Sequence, residues 1–250
     1  MSGPLRPAPP RLTQAVADAV DARAEEAVRF LERLVAEAST VGHEEGAQRV
    51  FADHMASLGL AVEELPVPAD VGSDPLAGVP QVAYDGRPDV VARTAPGDPV
   101  VLLNGHIDVV PAGVEGWASP PWQPTHRGGW LHGRGAGDMK GGFAMAALAL
   151  AALSEAAPSL LEVPVAFLSV IEEECTGNGT LAALRQGVTG EMVILPEPTD
   201  LRLLVGGVGI VWVDITIAGG GGHAHVADQV ERPVDVVGRL IPALEDLGRR

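Results

Sequence analysis

Residues 100–111 read VVLLNGHIDVVP, and this stretch decides the fold class. Its first half is an almost wholly apolar run, which is typical of a strand covered on both faces. The run ends at His106, and Asp108 follows two residues later. Because open α/β sheets hold ligands at the carboxyl ends of their strands, the segment predicts a functional site there. Taken alone, however, the segment favours the simpler interpretation of a loop histidine beside a capping aspartate.

Apolar periodicity on both sides of this strand predicts an alternation of helices and strands. Residues 11–38 and 44–58 have helical spacing, whereas residues 60–67 and 88–95 are β-branched and extended. After the strand we expect helix, strand, helix and strand, at residues 139–153, 163–171, 178–186 and 191–196. This order predicts an α/β fold, a three-layer sandwich.

The character of the sequence changes near Gly207. Residues 209–219 alternate like an antiparallel strand with one exposed face, and residues 232–250 have the period of an amphipathic helix. One strand and one helix are too little to close a stable domain, so we expect this second domain to be incomplete. The predicted division is a disordered, proline-rich leader, a main domain and the start of a second domain, at residues 1–10, 11–207 and 208–250.

Composition and charge narrow the class of partner. The 250 residues include 33 acidic and 17 basic side chains, and the net charge of −16 disfavours nucleic acid and anionic membranes. The longest apolar run, residues 143–153, is shorter than the roughly 18 residues of a membrane-spanning helix. The single cysteine, Cys175, excludes an intramolecular disulfide and a paired-cysteine zinc site. We expect a soluble, cytoplasmic protein that acts on a small molecule or a short peptide.

Three further segments place acids beside the ends of predicted elements. Asp138 lies among glycines just before a helix, where an N-cap is the alternative interpretation. Glu172, Glu173 and Glu174 follow an apolar strand; such a run is either solvated surface or a cluster that cations must neutralise. Glu197 stands between two prolines after another short strand. One histidine and several carboxylates at one sheet edge favour a pair of zinc, cobalt or manganese ions that activate a water.

Four strings resemble a known family: GHIDVVP, GRGAGDMKGG, EEECTGNGT and PEPTDL. They are similar to those of the zinc metallohydrolases that include acetylornithine deacetylase, succinyl-diaminopimelate desuccinylase, aminoacylase and glutamate carboxypeptidase. The resemblance extends from Glu25 to Arg250. It implies a catalytic domain with a mixed, mostly parallel sheet, and an inserted α+β lid domain through which two subunits form a homodimer. It also implies two divalent metal ions, with zinc expected ahead of cobalt or manganese.

The resemblance implies a metal-binding role for four residues. His106 and Glu197 would bind one ion, and Glu174 would bind the other. Asp138 would bridge both ions, and Asp108 would orient His106. Each of these residues occupies the matching position of one of the four strings.

Two further catalytic side chains follow from the same match. Glu173 would be the general base that takes a proton from the water. His223, in the string IAGGGGHAH, would help to bind the oxyanion in the neighbouring subunit. The family completes its second metal site with a late histidine, and after Glu197 this sequence offers only His223 and His225. Since both match the lid, we expect the second metal site to be incomplete.

Three functions therefore stand after the sequence alone. The leading hypothesis is hydrolysis of the amide bond of an N-acyl amino acid, as in the acetylornithine deacetylase branch. The second is a dipeptidase or carboxypeptidase of the same family. The third is a truncated metal-binding chain without turnover.

Overall fold

The structure is a computed structural model that describes residues 8–206, 213, 215–219 and 232–249. It divides into two compact units, Met1–Arg202 and Leu203–Arg250. In the second unit the described helix is Pro233–Leu247, where the sequence predicts one. The strand predicted over residues 209–219 falls largely outside the described residues, and residues 215–219 belong to no helix or strand.

The first unit alternates helices and strands along the chain. Its elements are α1 (Pro10–Ala36), α2 (Glu45–Ser57), β1 (Ala61–Leu65), β2 (Asp89–Arg93), β3 (Val101–His106), β4 (Thr125–Arg127), β5 (Trp130–His132), α3 (Lys140–Ala156), β6 (Val165–Val170), α4 (Asn178–Arg185) and β7 (Met192–Ile194); the helix of the second unit is α5. Every helix and strand that the sequence predicts for this unit is present, and the hairpin of β4 and β5 is additional.

Five of the strands form one mixed sheet, in the order β1-β2-β6-β3-β7. β3 is parallel to both of its neighbours, with His106 opposite Val170 of β6. β2 is antiparallel to both β1 and β6, so four of the five strands run in the same direction. The predicted mixed, mostly parallel sheet is confirmed. The carboxyl ends of β3, β6 and β7 consequently lie at one edge of the sheet.

Helices cover the sheet on both faces. On one face, buried side chains of α1, α2 and α3 pack against the sheet in a core that includes Phe30, Phe51, Phe143 and Phe167. On the other face, Ala183 of α4 packs with alternate strand residues, among them Leu102, Leu168 and Val91. Successive residues of β6 therefore point to opposite cores, as the period of two in a strand requires. The predicted three-layer sandwich is confirmed.

β7 is one of the two edge strands of the sheet. It pairs with β3 on one side, and no strand in the described part of the chain pairs with its other side. The side chains of Met192, Val193, Ile194 and Leu195 are all exposed, although they form a continuous apolar run. Among the described helices, none combines the length and the apolar content that crossing a membrane requires.

Candidate metal centre

The candidate site is built around His106 at the carboxyl end of β3. The imidazole is buried, with 2% of the residue exposed. Its Nε2 atom lies 3.2 Å from Oδ1 of Asp138, 3.7 Å from Oε2 of Glu173 and 3.9 Å from Oε1 of Glu197. Three separate segments thus bring carboxylates to one ring nitrogen, at the edge of the sheet where the sequence predicts a site.

Three of the predicted ligands are close enough to hold a single ion. His106, Asp138 and Glu174 each offer one ligand atom, and these atoms all lie within 4.8 Å of one another. One imidazole nitrogen with carboxylate oxygens is a donor set that suits zinc and other divalent first-row metals. Glu197 lies at the same nitrogen of His106, so it can complete the set. The residues therefore fit the divalent metal that the sequence predicts.

Asp138 reaches the site from the loop between β5 and α3. Gly135 in this loop has a φ of +76°, a conformation that glycine adopts without steric cost. The peptide bond between Asp138 and Met139 is cis, and α3 begins at Lys140. The N-cap residue is Met139, and no side chain caps the helix, so the interpretation of Asp138 as a plain N-cap is wrong. Its carboxylate is instead 61% exposed and directed at His106.

Glu197 depends on a close approach between its loop and α3. A Cβ atom on Gly142 would collide with the carbonyl oxygen of Pro196, so any larger residue would push the loop away. The glycines of GRGAGDMKGG therefore do more than free the loop before the helix. Gly142 lets the chain that follows β7 cross the first turn of α3 and carry Glu197 to the site.

Asp108 joins the end of β3 to the turn that follows β6. Its carboxylate accepts hydrogen bonds from the main-chain N–H groups of Glu173 and Glu174, each at 3.1 Å. The nearest contact of Asp108 to Nδ1 of His106 is made by its main-chain carbonyl, at 2.8 Å, whereas the carboxylate is 3.6 Å away. Asp108 thus touches both the histidine and the acidic turn.

The site carries more negative charge than the protein neutralises. Burial alone lowers the pKa of His106, but the carboxylate of Asp108 and the charge of Glu173 outweigh it and raise the pKa to about 10. Burial raises the pKa of Glu174 and of Glu197, and the surrounding carboxylates add to this effect against the charge of His106. Additional positive charge would stabilise the ionised carboxylates and would favour the neutral form of His106, which is the form that binds a metal.

Comparison with known proteins gives the same assignment as the motifs. The family model described as Peptidase family M20/M25/M40 matches residues 102–245, more than half of the chain. The chain belongs to this family. The resemblance inferred from the four strings is therefore confirmed.

Individual relatives in the M20/M25/M40 family are moderately similar. The succinyl-diaminopimelate desuccinylase of Methylobacterium radiotolerans is 32% identical over 228 residues, which cover 87% of this chain and 55% of the relative. That of Leptothrix cholodnii is 32% identical over 233 residues, covering 88% and 57%. The di-peptidase Dug1p of Saccharomyces cerevisiae has the same fold, with a TM-score of 0.57 and 18% identity over 72% of this chain and 38% of that chain. The chain spans about half the length of the curated relatives it matches.

Two of the histidines in this M20/M25/M40 chain cannot be placed at the site. His223 and His225 lie outside the described residues, so the role of His223 stays a prediction.

Lys140 is fully buried, and its ammonium group donates to the carbonyl oxygens of Leu34 and Glu37, which ties α3 to the end of α1. The string MKGG predicts a helix start there, but nothing in it indicates that the lysine is buried.

Sequence reasoning also misses the side chains beneath the acidic turn. Glu172 is completely buried and accepts hydrogen bonds from Arg87 at 3.0 Å, Tyr84 at 2.6 Å and Thr176 at 2.8 Å. Arg87 also forms a two-point ion pair with the buried Glu44. Of three consecutive glutamates, the first therefore points away from the site, and the other two face it. A run of identical letters contains no signal for this division.

Proposed function

We propose that the protein hydrolyses the amide bond of an N-acyl amino acid, using two divalent metal ions, with zinc expected first. The observation that carries this proposal is the convergence of Asp138, Glu173 and Glu197 on Nε2 of His106. Among the described residues, His106 is the ion-pair partner of all three carboxylates. Burial raises the pKa of Glu174 and Glu197 beside this cluster, so a divalent metal would stabilise their charged forms.

The bound ions would supply a water of lowered pKa and would polarise the scissile carbonyl. The side chains divide the remaining tasks. His106, Asp138, Glu174 and Glu197 would hold the metals. Glu173 is half-exposed, and its Oε2 atom lies 3.7 Å from Nε2 of His106, so it can reach both the centre and an incoming substrate. It would take a proton from the attacking water and deliver it to the leaving amine.

Asp108 would keep these groups in place. Its carboxylate binds the amide groups of Glu173 and Glu174, and its carbonyl accepts from Nδ1 of His106. An N–H on Nδ1 leaves Nε2 free as the metal ligand, which is the tautomer that the centre requires. A single residue would thereby orient the histidine, the base and one metal-binding acid.

The acyl group is the finer part of the proposal. Two relatives that are 32% identical carry the name succinyl-diaminopimelate desuccinylase, which favours an N-succinyl diamino acid as the first substrate to test. N-acetylornithine stands beside it, because the sequence strings also resemble acetylornithine deacetylase. The family description as peptidases favours dipeptides as the second candidate class.

A panel of amides tests the proposal. The zinc-loaded protein is incubated with N-succinyl-diaminopimelate, N-acetylornithine and several dipeptides, and release of the free amine is measured. Turnover of either N-acyl amino acid, abolished in Glu173→Gln, would support the proposal. Turnover of dipeptides alone would replace it by the peptidase, and turnover of none in a protein that binds zinc would leave a metal-binding chain.

The assembly and the location form a separate part of the proposal. We infer a homodimer through the lid domain, with His223 reaching the neighbouring subunit, in a cytoplasmic enzyme. Light scattering at several concentrations tests the dimer. Mixing His223→Ala with Glu173→Gln subunits tests the shared site, since mixed dimers would recover part of the activity that each variant lacks.

A further inference from the structure

Beneath the acidic turn lies a group of side chains that the proposed chemistry does not use. We define the anchor network as Glu44, Arg87, Tyr84 and Glu172, with Thr176 as an additional donor. The side chains of Glu44, Arg87 and Glu172 are 1%, 7% and 0% exposed, so their charges are almost completely removed from water. Buried charges of this kind need close and specific partners.

Both carboxylate oxygens of Glu172 accept hydrogen bonds from the protein interior, and the side chain is fully buried. Oε1 accepts from Arg87, and Oε2 accepts from both Tyr84 and Thr176. Asn178 in turn donates to the hydroxyl of Tyr84 at 2.8 Å, which fixes the direction of that hydroxyl. Glu172 therefore acts as a fixed point below the turn.

The main chain at Glu172 shows what this fixed point holds. Its φ is +61°, a left-handed conformation that residues with a side chain rarely adopt. The carbonyl of Glu172 accepts from the N–H groups of Thr176 at 3.0 Å and Gly177 at 2.8 Å, which closes the turn. A strained conformation of this kind persists only when its surroundings hold it. The anchor network is the part of the surroundings that grips the side chain.

The turn is thus held from two sides. The anchor network binds the side chain of Glu172 from below, and Asp108 binds the amides of Glu173 and Glu174 from the metal side. Glu173 and Glu174 follow immediately, so a rotation of the chain at Glu172 would move both carboxylates at once.

We propose that Arg87 is a positioning residue, which acts through Glu172 to aim Glu173 and Glu174 at the metal centre. Tyr84 assists it through the second oxygen of the same carboxylate. This inference rests on the proposed function for the role of Glu173, and on the candidate metal group for that of Glu174. The hydrogen bonds of Arg87 go to Glu44, Glu172 and the carbonyls of Val82 and Ala83, none of which is a predicted metal ligand.

The experiment compares zinc affinity and turnover in Arg87→Lys. Lysine keeps the charge but cannot bind Glu44 at two points while it reaches Glu172. We expect zinc affinity, measured by competition with a chelator, and kcat to fall by about 10- to 100-fold each, the usual effect of losing a residue that orients a metal ligand, with KM nearly unchanged. Val188→Ala, a cavity in the other core, is the control with a comparable loss of thermal stability.

Each outcome decides the inference. If Arg87→Lys matches Val188→Ala in stability, zinc affinity and kcat, Arg87 is only structural and the inference is overturned. If Arg87→Lys does not fold, Tyr84→Phe replaces it: a smaller loss of zinc affinity supports the inference, and wild-type affinity overturns it. If the wild-type protein hydrolyses no amide, the proposed function fails, and the zinc affinities of the same variants still decide the role of Arg87.

Discussion

The anchor network and the metal centre lie on opposite sides of one turn and handle the same physical problem differently. Below the turn, Glu172 and Glu44 share the guanidinium of Arg87, so the negative charges have a cation from the protein itself. Above it, Asp138, Glu173 and Glu197 share one imidazole. Both clusters gather acids beside the end of β6.

The two clusters differ in the cation that each carboxylate contacts, and this difference separates a structural cluster of acids from a candidate functional one. A buried carboxylate beside a well-placed arginine is satisfied and has no use for an ion. Carboxylates that crowd a single histidine remain short of positive charge, and they stay partly exposed, so an ion can enter. The partner of each carboxylate is therefore more informative than the number of carboxylates.

Glu173 is the residue above the turn whose loss should reduce activity most. Glu173→Gln keeps the size of the side chain but removes the base, so we expect kcat to fall by about 10²- to 10⁴-fold. Metal content, measured by elemental analysis after dialysis against dilute zinc, should stay at the wild-type value. Glu63→Gln, on the exposed face of β1, is the matched control. Wild-type turnover in Glu173→Gln would remove the assignment of the base.

The next effect concerns the anchor network. Arg87→Met leaves two buried carboxylates without their cation, so we expect the free energy of unfolding in urea to fall by about 3–5 kcal/mol. The triple variant Glu44→Gln, Arg87→Met and Glu172→Gln removes the charges together and should regain most of that loss. An unchanged urea midpoint for Arg87→Met would show that Glu44 and Glu172 do not depend on the charge of Arg87.

The third prediction tests the shortage of positive charge above the turn. Zinc at 100 times its dissociation constant should stabilise the folded protein by about 2.7 kcal/mol, since it binds the native state. Glu174→Gln should lose most of this gain, whereas Glu63→Gln should keep it, and EDTA should cancel it in all three proteins. Thermal unfolding with and without zinc measures the effect. Equal gains in Glu174→Gln and the wild-type protein would contradict the ligand assignment.

Asp89 is a buried carboxylate that we expect a proton to neutralise. Asp89 is fully buried; Oδ1 accepts from the N–H of Ile171, and Oδ2 has no hydrogen-bond partner among the described residues. Burial, with help from the charges of Asp108 and Glu44, raises its pKa to about 8. Asp89 should therefore be protonated and neutral near pH 6, whereas Glu172 has the cation of Arg87 beside it.

Asp89→Asn tests this assignment through the pH dependence of stability. A raised folded-state pKa gives stability that is fully present below the unfolded pKa and lost as pH rises through the folded value. The wild-type protein should therefore lose stability between about pH 4 and 8, and the asparagine variant should lack this loss. At pH 5 the variant should cost about 1 kcal/mol, the effect of one poorly satisfied amide, and this gap should close and then reverse as pH rises toward 8. A gap that widens with pH would mean that Asp89 is ionised.

The layers of the fold could be predicted because they depend on local pattern. The apolar run that ends at His106 and the periodicity of residues 11–38 both correspond to observed elements, β3 and α1. The hairpin of β4 and β5 could not be predicted, since strands of three residues carry too little alternation. The sequence also predicts too long a strand at residues 191–196, since the observed β7 spans only Met192–Ile194.

The candidate site divides in the same way. The convergence of His106, Asp138, Glu174 and Glu197 could be predicted, because each follows a strand or precedes a helix in a recognisable string; their role as metal ligands stays a prediction. Arg87 could not, because its partners Glu44 and Glu172 lie 43 and 85 residues away and share no spacing with it. The opposite orientations of Glu172 and Glu173 depend on one backbone angle, which contacts distant in sequence hold from both sides, through Arg87 and through Asp108.

The edge strand β7 has a consequence for handling the protein. No described strand pairs with its side away from β3, and its side chains are apolar and exposed, which is the kind of edge that templates pairing between chains. Concentrated samples of residues 1–250 should therefore self-associate through this strand, and Val193→Lys, a charge on that edge, should keep them dispersed. Because Glu197 follows the strand by three residues, such association would crowd the loop that carries this predicted metal ligand, so loss of solubility and loss of zinc should occur together.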